Sequence, residues 1–214
     1  MAIHPSAVIE KGAQIDPSAT VGPLCVVGPQ VVLGAGVVLK SHVVVTGETT
    51  VGEGTVIFPF AVIGEIPQDL KFKGEASRLD IGKRNRIREH VTMNCGTEGG
   101  GGITRVGDDN LFMAGCHIAH DAIVGNNVVV VNNAAVAGHC VIEDEVLNLV
   151  GLKRRGVSRG DITALRAAFQ MLAQGEGTFH DRAERLGAET ESAYVREIVE
   201  FVLADSGRHF LTPK

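Results

Sequence analysis

The chain has 214 residues, a formal net charge of −5 and a pI near 5.9, which argues against a general nucleic-acid binder, so we expect no nucleic-acid partner. Aromatic residues make up only 4% of the chain and Trp is absent, which suits a thin core. No apolar run approaches the roughly 20 residues of a membrane span, and we expect no stable membrane insertion.

A large apolar residue returns at every sixth position from Ile3, and after two interruptions the series continues to Ile142. Neither an α-helix nor the alternation of a strand gives this period, which is typical of a hexapeptide β-helix. A small residue usually follows four positions later, and together the two fill a narrow three-sided tube. Three hexads make one coil, so twenty-one hexads predict about seven coils. The series is Ile3, Ile9, Ile15, Val21, Val27, Leu33, Leu39, Val45, Val51, Ile57, Ile63, Ile81, Ile87, Met93, Val106, Phe112, Ile118, Val124, Val130, Val136 and Ile142.

The repeat also bears on location and redox state. Because it begins at Ile3, it leaves no room for a signal peptide, and we expect a cytoplasmic location. The four cysteines show no Cys-x-x-Cys spacing. Cys25, Cys116 and Cys140 occupy the small inward position of their hexads and are interpreted as packed, reduced thiols, whereas Cys95 has no assignment.

Two interruptions break the repeat. The first, from Glu65 to Asp80, keeps the phase of the hexads, and the second, from Glu98 to Arg105, contains four consecutive glycines and shifts the phase by one residue. Loops that leave a rigid scaffold usually carry binding groups. We therefore expect these loops to contribute to a site, and a merely tolerated insertion is the alternative for each.

Three histidines form a candidate site. His117 and His120 lie three residues apart with Asp121 beside the second, and His139 follows His120 by one coil plus one residue. His139 should then lie about one strand spacing above His120. Two chemistries fit: a general base oriented by a carboxylate, or a zinc site of three imidazoles as in carbonic-anhydrase-like hexapeptide proteins. The remaining histidines, including His42 and His90, are interpreted as isolated.

The composition changes after about Glu145, and we predict a β-helix domain over residues 1–147 and a helical domain over 148–214. Ser158 and Asp161 resemble a helix N-terminal capping pair, and Thr178 precedes a second helical stretch. The apolar stripes expected at helical spacing are Ile162, Leu165, Phe169 and Leu172, and then Tyr194, Ile198, Phe201 and Val202.

Several strings, spread over nearly the whole chain and in family order, carry a resemblance to a known family. They include Leu39–Val45 (LKSHVVV), Gln68–Lys71 (QDLK), Asn85–Glu89 (NRIRE), His117–Asp121 (HIAHD) and Gly151–Gly156 (GLKRRG). On these strings the chain resembles the acyl-[acyl-carrier-protein]–UDP-N-acetylglucosamine O-acyltransferase family. The resemblance implies a left-handed parallel β-helix with a C-terminal α-helical segment, mainly β overall.

The resemblance also implies a reaction, the transfer of a (hydroxy)acyl chain from acyl carrier protein to the 3-hydroxyl of UDP-N-acetylglucosamine, the first step of lipid A biosynthesis. The implied catalytic groups are the base His120, its orienting carboxylate Asp121 and the oxyanion-binding N–H of Gly138. No cofactor and no metal are implied. The implied substrate-binding residues are Asp69, Lys71, His117, His139, Asn148, Arg154 and Arg155.

The tube shape predicts an oligomeric state, and the chain departs from the family pattern in one segment. A single prism has three flat faces, and prisms of this kind commonly pack in parallel about a threefold axis, so we expect a homotrimer with sites between neighbouring chains.

Between His139 and Asn148 the family has roughly two to three further coils that this chain lacks. A non-catalytic trimeric scaffold or truncated relic is therefore the second hypothesis, and a zinc hydratase the third.

Overall fold

The computed structural model describes residues 2–144 and 156–204. The chain divides into two compact units, Met1–Val146 and Leu147–Lys214. The predicted domain boundary, between residues 147 and 148, lies outside the described residues and stays a prediction. The first unit contains strands and one short 3₁₀ turn at Glu98–Gly100, and the second contains helices.

The strands β1 to β21 are short and follow one another along the tube. In chain order they are Ala2–Ile3, Val8–Ile9, Gln14–Ile15, Thr20–Val21, Val26–Val27, Val32–Leu33, Val38–Leu39, Val44–Val45, Glu48–Val51, Val56–Ile57, Val62–Glu65, Arg78–Ile81, Arg86–Ile87, Thr92–Asn94, Ile103–Val106, Leu111–Phe112, His117–Ile118, Ile123–Val124, Val129–Val130, Ala135–Val136 and Val141–Ile142.

Each strand from β1 to β18 pairs in parallel with the strand three further along the chain. Over residues 2–144 this rule gives three sheets of seven strands each, which are the three walls of a prism of seven coils. Ala2 pairs with Thr20, eighteen residues on, as three hexads per coil require. The predicted fold class, a left-handed parallel β-helix with a C-terminal helical segment, is confirmed.

The hexad positions decide which side chains face inward. Residues of the large apolar position, such as Val27, Ile57 and Ile63, are 0% exposed. The turns between walls bring successive coils close together: a Cβ at Gly22 would lie 2.6 Å from the carbonyl oxygen of Lys40, so a residue without a side chain is needed there. The hexad therefore encodes both the wall and the turn.

The two loops explain the phase of the repeat. Val56 pairs with Arg86, thirty residues on, and Arg86 pairs with Leu111, twenty-five residues on. The first loop therefore adds twelve residues to one coil and the second adds seven. Twelve is a multiple of six and keeps the phase, whereas seven shifts it by one residue, as the sequence indicated.

In the second unit, the described residues form three helices, α1 (Arg159–Gln174), α2 (Phe179–Glu189) and α3 (Ala193–Leu203). The predicted capping pair is present, since Ser158 Oγ accepts from the backbone N–H of Asp161 at 3.0 Å. Thr178 and Asp181 form a reciprocal capping box at the start of α2. No helix of the described residues is long and apolar enough to cross a membrane.

The predicted apolar stripes of the helices were only partly right. Phe169 is 54% exposed and Tyr194 is 38% exposed, so neither belongs to the helical core. In α3 the buried residues are Val195, Val199 and Val202. Because α3 carries apolar residues on two adjacent faces, helical spacing alone did not show which face packs inward.

The interpretation of His42 and His90 as isolated was wrong. Their rings stack on the two sides of Phe60, with ring centroids 4.9 Å and 5.2 Å apart. All three residues occupy the same turn in successive coils and have a left-handed backbone conformation, with φ between 58° and 65°. Stacked aromatic rings of this kind contribute modestly to stability.

Candidate active site

The turn after β17 places an imidazole and a carboxylate in contact. His120 Nδ1 lies 2.8 Å from Asp121 Oδ2. An ionised carboxylate only accepts hydrogen bonds, so this contact puts the imidazole proton on Nδ1 and leaves Nε2 unprotonated. The Asp121 side chain is 1% exposed and that of His120 is 15% exposed. The pair therefore has the geometry of a general base with an orienting carboxylate.

The next coil covers this pair with Gly138 and His139. A Cβ at Gly138 would lie 2.6 to 3.1 Å from ring atoms of His120, so only glycine lets the backbone rest against the imidazole. The Gly138 N–H donates no hydrogen bond to any other described residue. The His139 ring stands edge-on to His120 at 5.1 Å, and its Nδ1 lies 3.9 Å from Asp121 Oδ2.

The carboxylate of Asp121 is held from several directions. The hydroxyl of Thr97 donates to Oδ2 at 2.6 Å, and the backbone N–H of Thr97 donates to Oδ1 at 2.8 Å. Burial alone would raise the pKa of Asp121, but the hydrogen bonds from Thr97 and His120 outweigh it and hold this pKa below its usual value. Asp121 is therefore ionised at neutral pH and keeps the His120 proton on Nδ1.

His117 lies one turn before the pair, on β17. Its Nδ1 forms a hydrogen bond of 2.7 Å with the hydroxyl of Thr92, in the coil below. Burial, and then the nearby His120, lowers the pKa of His117 below its ordinary value. A neutral imidazole at this position can donate or accept a hydrogen bond without placing a positive charge beside His120.

The two loops form a cleft next to these histidines. A cavity of about 530 Å³ is lined by Asp69, Lys71, Phe72, Lys73, Gly74, Glu75, Thr97, Glu98, Gly99 and His139. The loops touch each other where the backbone N–H of Glu98 approaches Glu75 Oε1 at 3.4 Å. A cleft with both charged signs and one imidazole suits a polar ligand, and the size is that of a small-molecule site.

The structure brings most of the predicted site residues to one region. His120, Asp121, Gly138 and His139 are in contact, as described above, and Asp69 and Lys71 share the cleft with His139. The predicted Asn148, Arg154 and Arg155 lie outside the described residues. Their roles, like those of the other site residues, stay predictions.

Sequence reasoning expected the second loop to contribute to a site, but it did not identify Thr97 as the residue that does so. Thr97 binds Asp121, and a Cβ at Gly100 would lie 2.0 Å from the carboxyl carbon of Asp121. The glycine run and the phase shift were the available signals, but they did not show which residue the loop would contact. Thr92 was missed because its partner His117 lies one coil away and the second loop intervenes.

The basic residues Lys83, Arg84 and Arg88, which follow the first loop, have acidic partners within the chain. Arg84 Nη2 lies 2.7 Å from Asp109, Lys83 Nζ lies 3.4 Å from Glu53, and Arg88 pairs with Glu89. Exposed pairs of this kind contribute little to stability. They reduce the positive charge that this surface offers to an acidic partner.

Within the described part of the chain, one group of residues has metal-ligand chemistry. Ligand atoms of His120, Asp121 and His139 lie within 4.8 Å of one another. His117 is not part of this group. The group therefore offers two imidazoles and a carboxylate, whereas a zinc hydratase site has three histidines. The carboxylate oxygen Oδ2 already accepts from Thr97 and His120, which leaves it little capacity for a metal.

Comparisons with known proteins agree with this geometry. A family model described as UDP N-acetylglucosamine O-acyltransferase, domain 2, matches residues 133–211, and a model of bacterial transferase hexapeptides (six repeats) matches residues 103–138. The acyl-[acyl-carrier-protein]–UDP-N-acetylglucosamine O-acyltransferase of Paracoccus denitrificans is 52% identical over 204 residues, covering 74% of this chain and 77% of the relative. The protein of the same name from Caulobacter vibrioides is 42% identical and covers 100% of this chain and 99% of the relative.

A solved structure supports the same assignment. The UDP-N-acetylglucosamine O-acyltransferase of Moraxella catarrhalis matches with a TM-score of 0.77 and 34% identity, covering 98% of this chain and 99% of that one.

The comparisons also confirm that the chain is shorter than its relatives. The match to the Caulobacter protein runs over 260 residues, whereas this chain has 214, so at least 46 positions have no counterpart here. At about 18 residues per coil this is roughly two and a half coils, in agreement with the predicted two to three. With identities of 42% and 52% over most of both chains and the resemblance of the motifs confirmed, the chain belongs to the acyl-[acyl-carrier-protein]–UDP-N-acetylglucosamine O-acyltransferase family.

Proposed function

We propose that this protein transfers a (hydroxy)acyl chain from acyl carrier protein to the 3-hydroxyl of UDP-N-acetylglucosamine, the first step of lipid A biosynthesis. The observation that carries the proposal is the hydrogen bond of 2.8 Å between His120 Nδ1 and Asp121 Oδ2, next to the N–H of Gly138, which donates to none of the residues that the structure describes. Membership of the family supports the choice of both substrates.

The reaction follows from these three groups. His120 Nε2 takes the proton of the sugar hydroxyl while the hydroxyl oxygen attacks the thioester carbonyl. Negative charge then develops on the carbonyl oxygen, and the Gly138 N–H stabilises it, a contribution of about 3 kcal/mol in comparable sites. When the intermediate collapses, the C–S bond breaks and the His120 imidazolium returns the proton to the departing thiolate. The Asp121 carboxylate stabilises the imidazolium throughout.

The remaining predicted residues bind the substrates in this proposal. His117 and His139 contact the sugar nucleotide, and Asp69 and Lys71, in the loop cleft, contact the acyl donor or the sugar. Arg154 and Arg155 are assigned to the phosphates, because a guanidinium fork matches paired oxygens, and Asn148 to the nucleotide.

A transfer assay with hydroxyacyl carrier protein and UDP-N-acetylglucosamine tests the reaction. We expect ester product from the unmodified protein and a loss of kcat of at least about a hundredfold in His120→Ala, because the proton acceptor is removed. His4→Ala, an exposed histidine in the first coil, is the matched control and should keep full activity. Absence of product from folded, unmodified protein would leave the non-catalytic scaffold as the function.

The assembly and location are part of the same proposal. We expect a homotrimer in the cytoplasm, because flat prism walls favour threefold packing and all four cysteines are free, as in a reducing compartment. Light scattering coupled to size-exclusion chromatography should give a mass near three times 22.5 kDa. A monomer mass at all concentrations would contradict the trimer.

A further inference from the structure

We infer that Thr97, in the glycine-rich second loop, is a positioning residue that fixes the Asp121 carboxylate and through it the orientation of the His120 base. The inference rests on the proposed function for its catalytic consequence. It assigns a role to a segment that the sequence left open as a tolerated insertion.

Thr97 holds both oxygens of the carboxylate. Its hydroxyl donates to Oδ2 at 2.6 Å and its backbone N–H donates to Oδ1 at 2.8 Å. A carboxylate bound at both oxygens cannot rotate about its terminal bond without losing one of the two hydrogen bonds. Because Oδ2 is also the atom that accepts from His120 Nδ1, fixing the carboxylate fixes the ring.

The Thr97 hydroxyl does not make the hydrogen bond that its position in the chain favours. Thr97 is the N-cap residue of the 3₁₀ turn Glu98–Gly100, where a hydroxyl normally accepts a hydrogen bond from the backbone of the turn. Here the side chain makes no such cap and points to Asp121 instead. The backbone carbonyl of Thr97 stabilises the loop, accepting from Gly102 N–H at 2.7 Å and from Gly100 N–H at 3.0 Å.

The glycines allow the loop to close over the carboxylate. A Cβ at Gly100 would lie 2.0 Å from Asp121 Cγ, so no side chain fits between the loop and the acid. Gly101 and Gly102 have φ of 94° and 76°, in the region that favours glycine. Three of the four glycines are thus explained, Gly100 by the close approach to Asp121, and Gly101 and Gly102 by the turn that brings Thr97 into position.

The experiment compares Thr97→Val with Thr97→Ser. Valine has the shape of threonine but no hydroxyl, and serine restores the hydroxyl. We expect Thr97→Val to lower kcat on the order of tenfold with little change in KM, because one of two hydrogen bonds to an ionised group is lost, and Thr97→Ser to recover most of kcat. Thr55 is a buried threonine whose hydroxyl donates to the Gly82 carbonyl and accepts from the Asn85 N–H, so Thr55→Val is the control for a loss of stability without a loss of orientation.

Nitrogen-15 NMR of the His120 ring supplies a measurement that a purely structural role would not change. We expect the proton on Nδ1 in the unmodified protein and in Thr97→Ser, and a mixture of the two tautomers in Thr97→Val. Unchanged kcat and tautomer in Thr97→Val, or an equal loss of kcat in Thr55→Val, would overturn the inference. If the unmodified protein shows no transfer at all, the proposed function fails while the tautomer still decides the role of Thr97.

Discussion

The contact between the His120 ring and the backbone of Gly138 makes a side chain at position 138 harmful. In Gly138→Ala the new Cβ would lie about 2.6 Å from the ring, so the imidazole must move. We expect kcat to fall at least about tenfold, because reactions are sensitive to displacements of this size. Gly160→Ala, where the nearest atom is the Ser158 hydroxyl at 3.6 Å, should keep kcat unchanged in the same assay. Full activity of Gly138→Ala would show that the ring is not held against this backbone.

His117 should make stability depend on pH in the weakly acidic range. Its pKa in the folded protein is below the unfolded value of about 6.5, so the unfolded chain binds more protons between the two values. The contribution of His117 to stability is therefore complete above about pH 6.5 and decreases as the pH falls toward the folded pKa. As the pH is lowered, the urea concentration at the denaturation midpoint should fall less steeply in His117→Asn than in the unmodified protein. Equal slopes of the midpoint against pH in the two proteins would contradict this.

For single residues, the six-residue period predicts which side chains are in contact between successive coils. It does not predict which residue a loop contacts. His139 was placed above His120 by counting one coil, and the structure confirms the contact. The stack of His42, Phe60 and His90 follows the same count once the twelve residues of the first loop are added to one coil. The position of Thr97 was not predictable in this way, because it depends on backbone angles that only the glycines of the loop adopt.

Among the elements, the two-residue strands are stable only because each inward side chain packs within the tube. Ile57→Ala should cost about 2 to 5 kcal/mol of unfolding free energy, since Ile57 is 0% exposed and the cavity is left unfilled. Ile123→Ala, in another strand but 40% exposed, is the matched control and should cost much less. Chemical denaturation measures both, and similar losses would mean that the outer faces are packed as tightly as the core.

The helices show a different limit of sequence reasoning. The starts of α1 and α2 were predictable, because Ser158 and Thr178 cap the first turns with local hydrogen bonds. Their buried faces were not, because which face of α3 packs inward depends on the positions of α1 and α2. Local signals thus define where a helix begins, and tertiary packing defines which side is buried.

For the whole molecule, the two units have separate apolar clusters, one inside the tube and one among the helices. Leu165→Ala should therefore increase amide hydrogen exchange across α1, α2 and α3 and leave the strands protected. Leu165 is 3% exposed, whereas Phe169 on the same helix is 54% exposed, so Phe169→Ala is the control. A uniform increase in exchange over both units would show that they unfold together.

The constant register has a consequence for how the chain reaches its structure. Because each strand pairs only with the strand one coil away, most coils close loops of eighteen residues, and each addition has nearly the same entropic cost. Folding should then begin with a nucleus of a few paired coils and continue by the addition of one coil at a time. The two longer closures, of thirty and twenty-five residues, fall in the coils that form the candidate active site. The addition of coils should slow there, so the candidate active site is assembled at the slowest steps of folding.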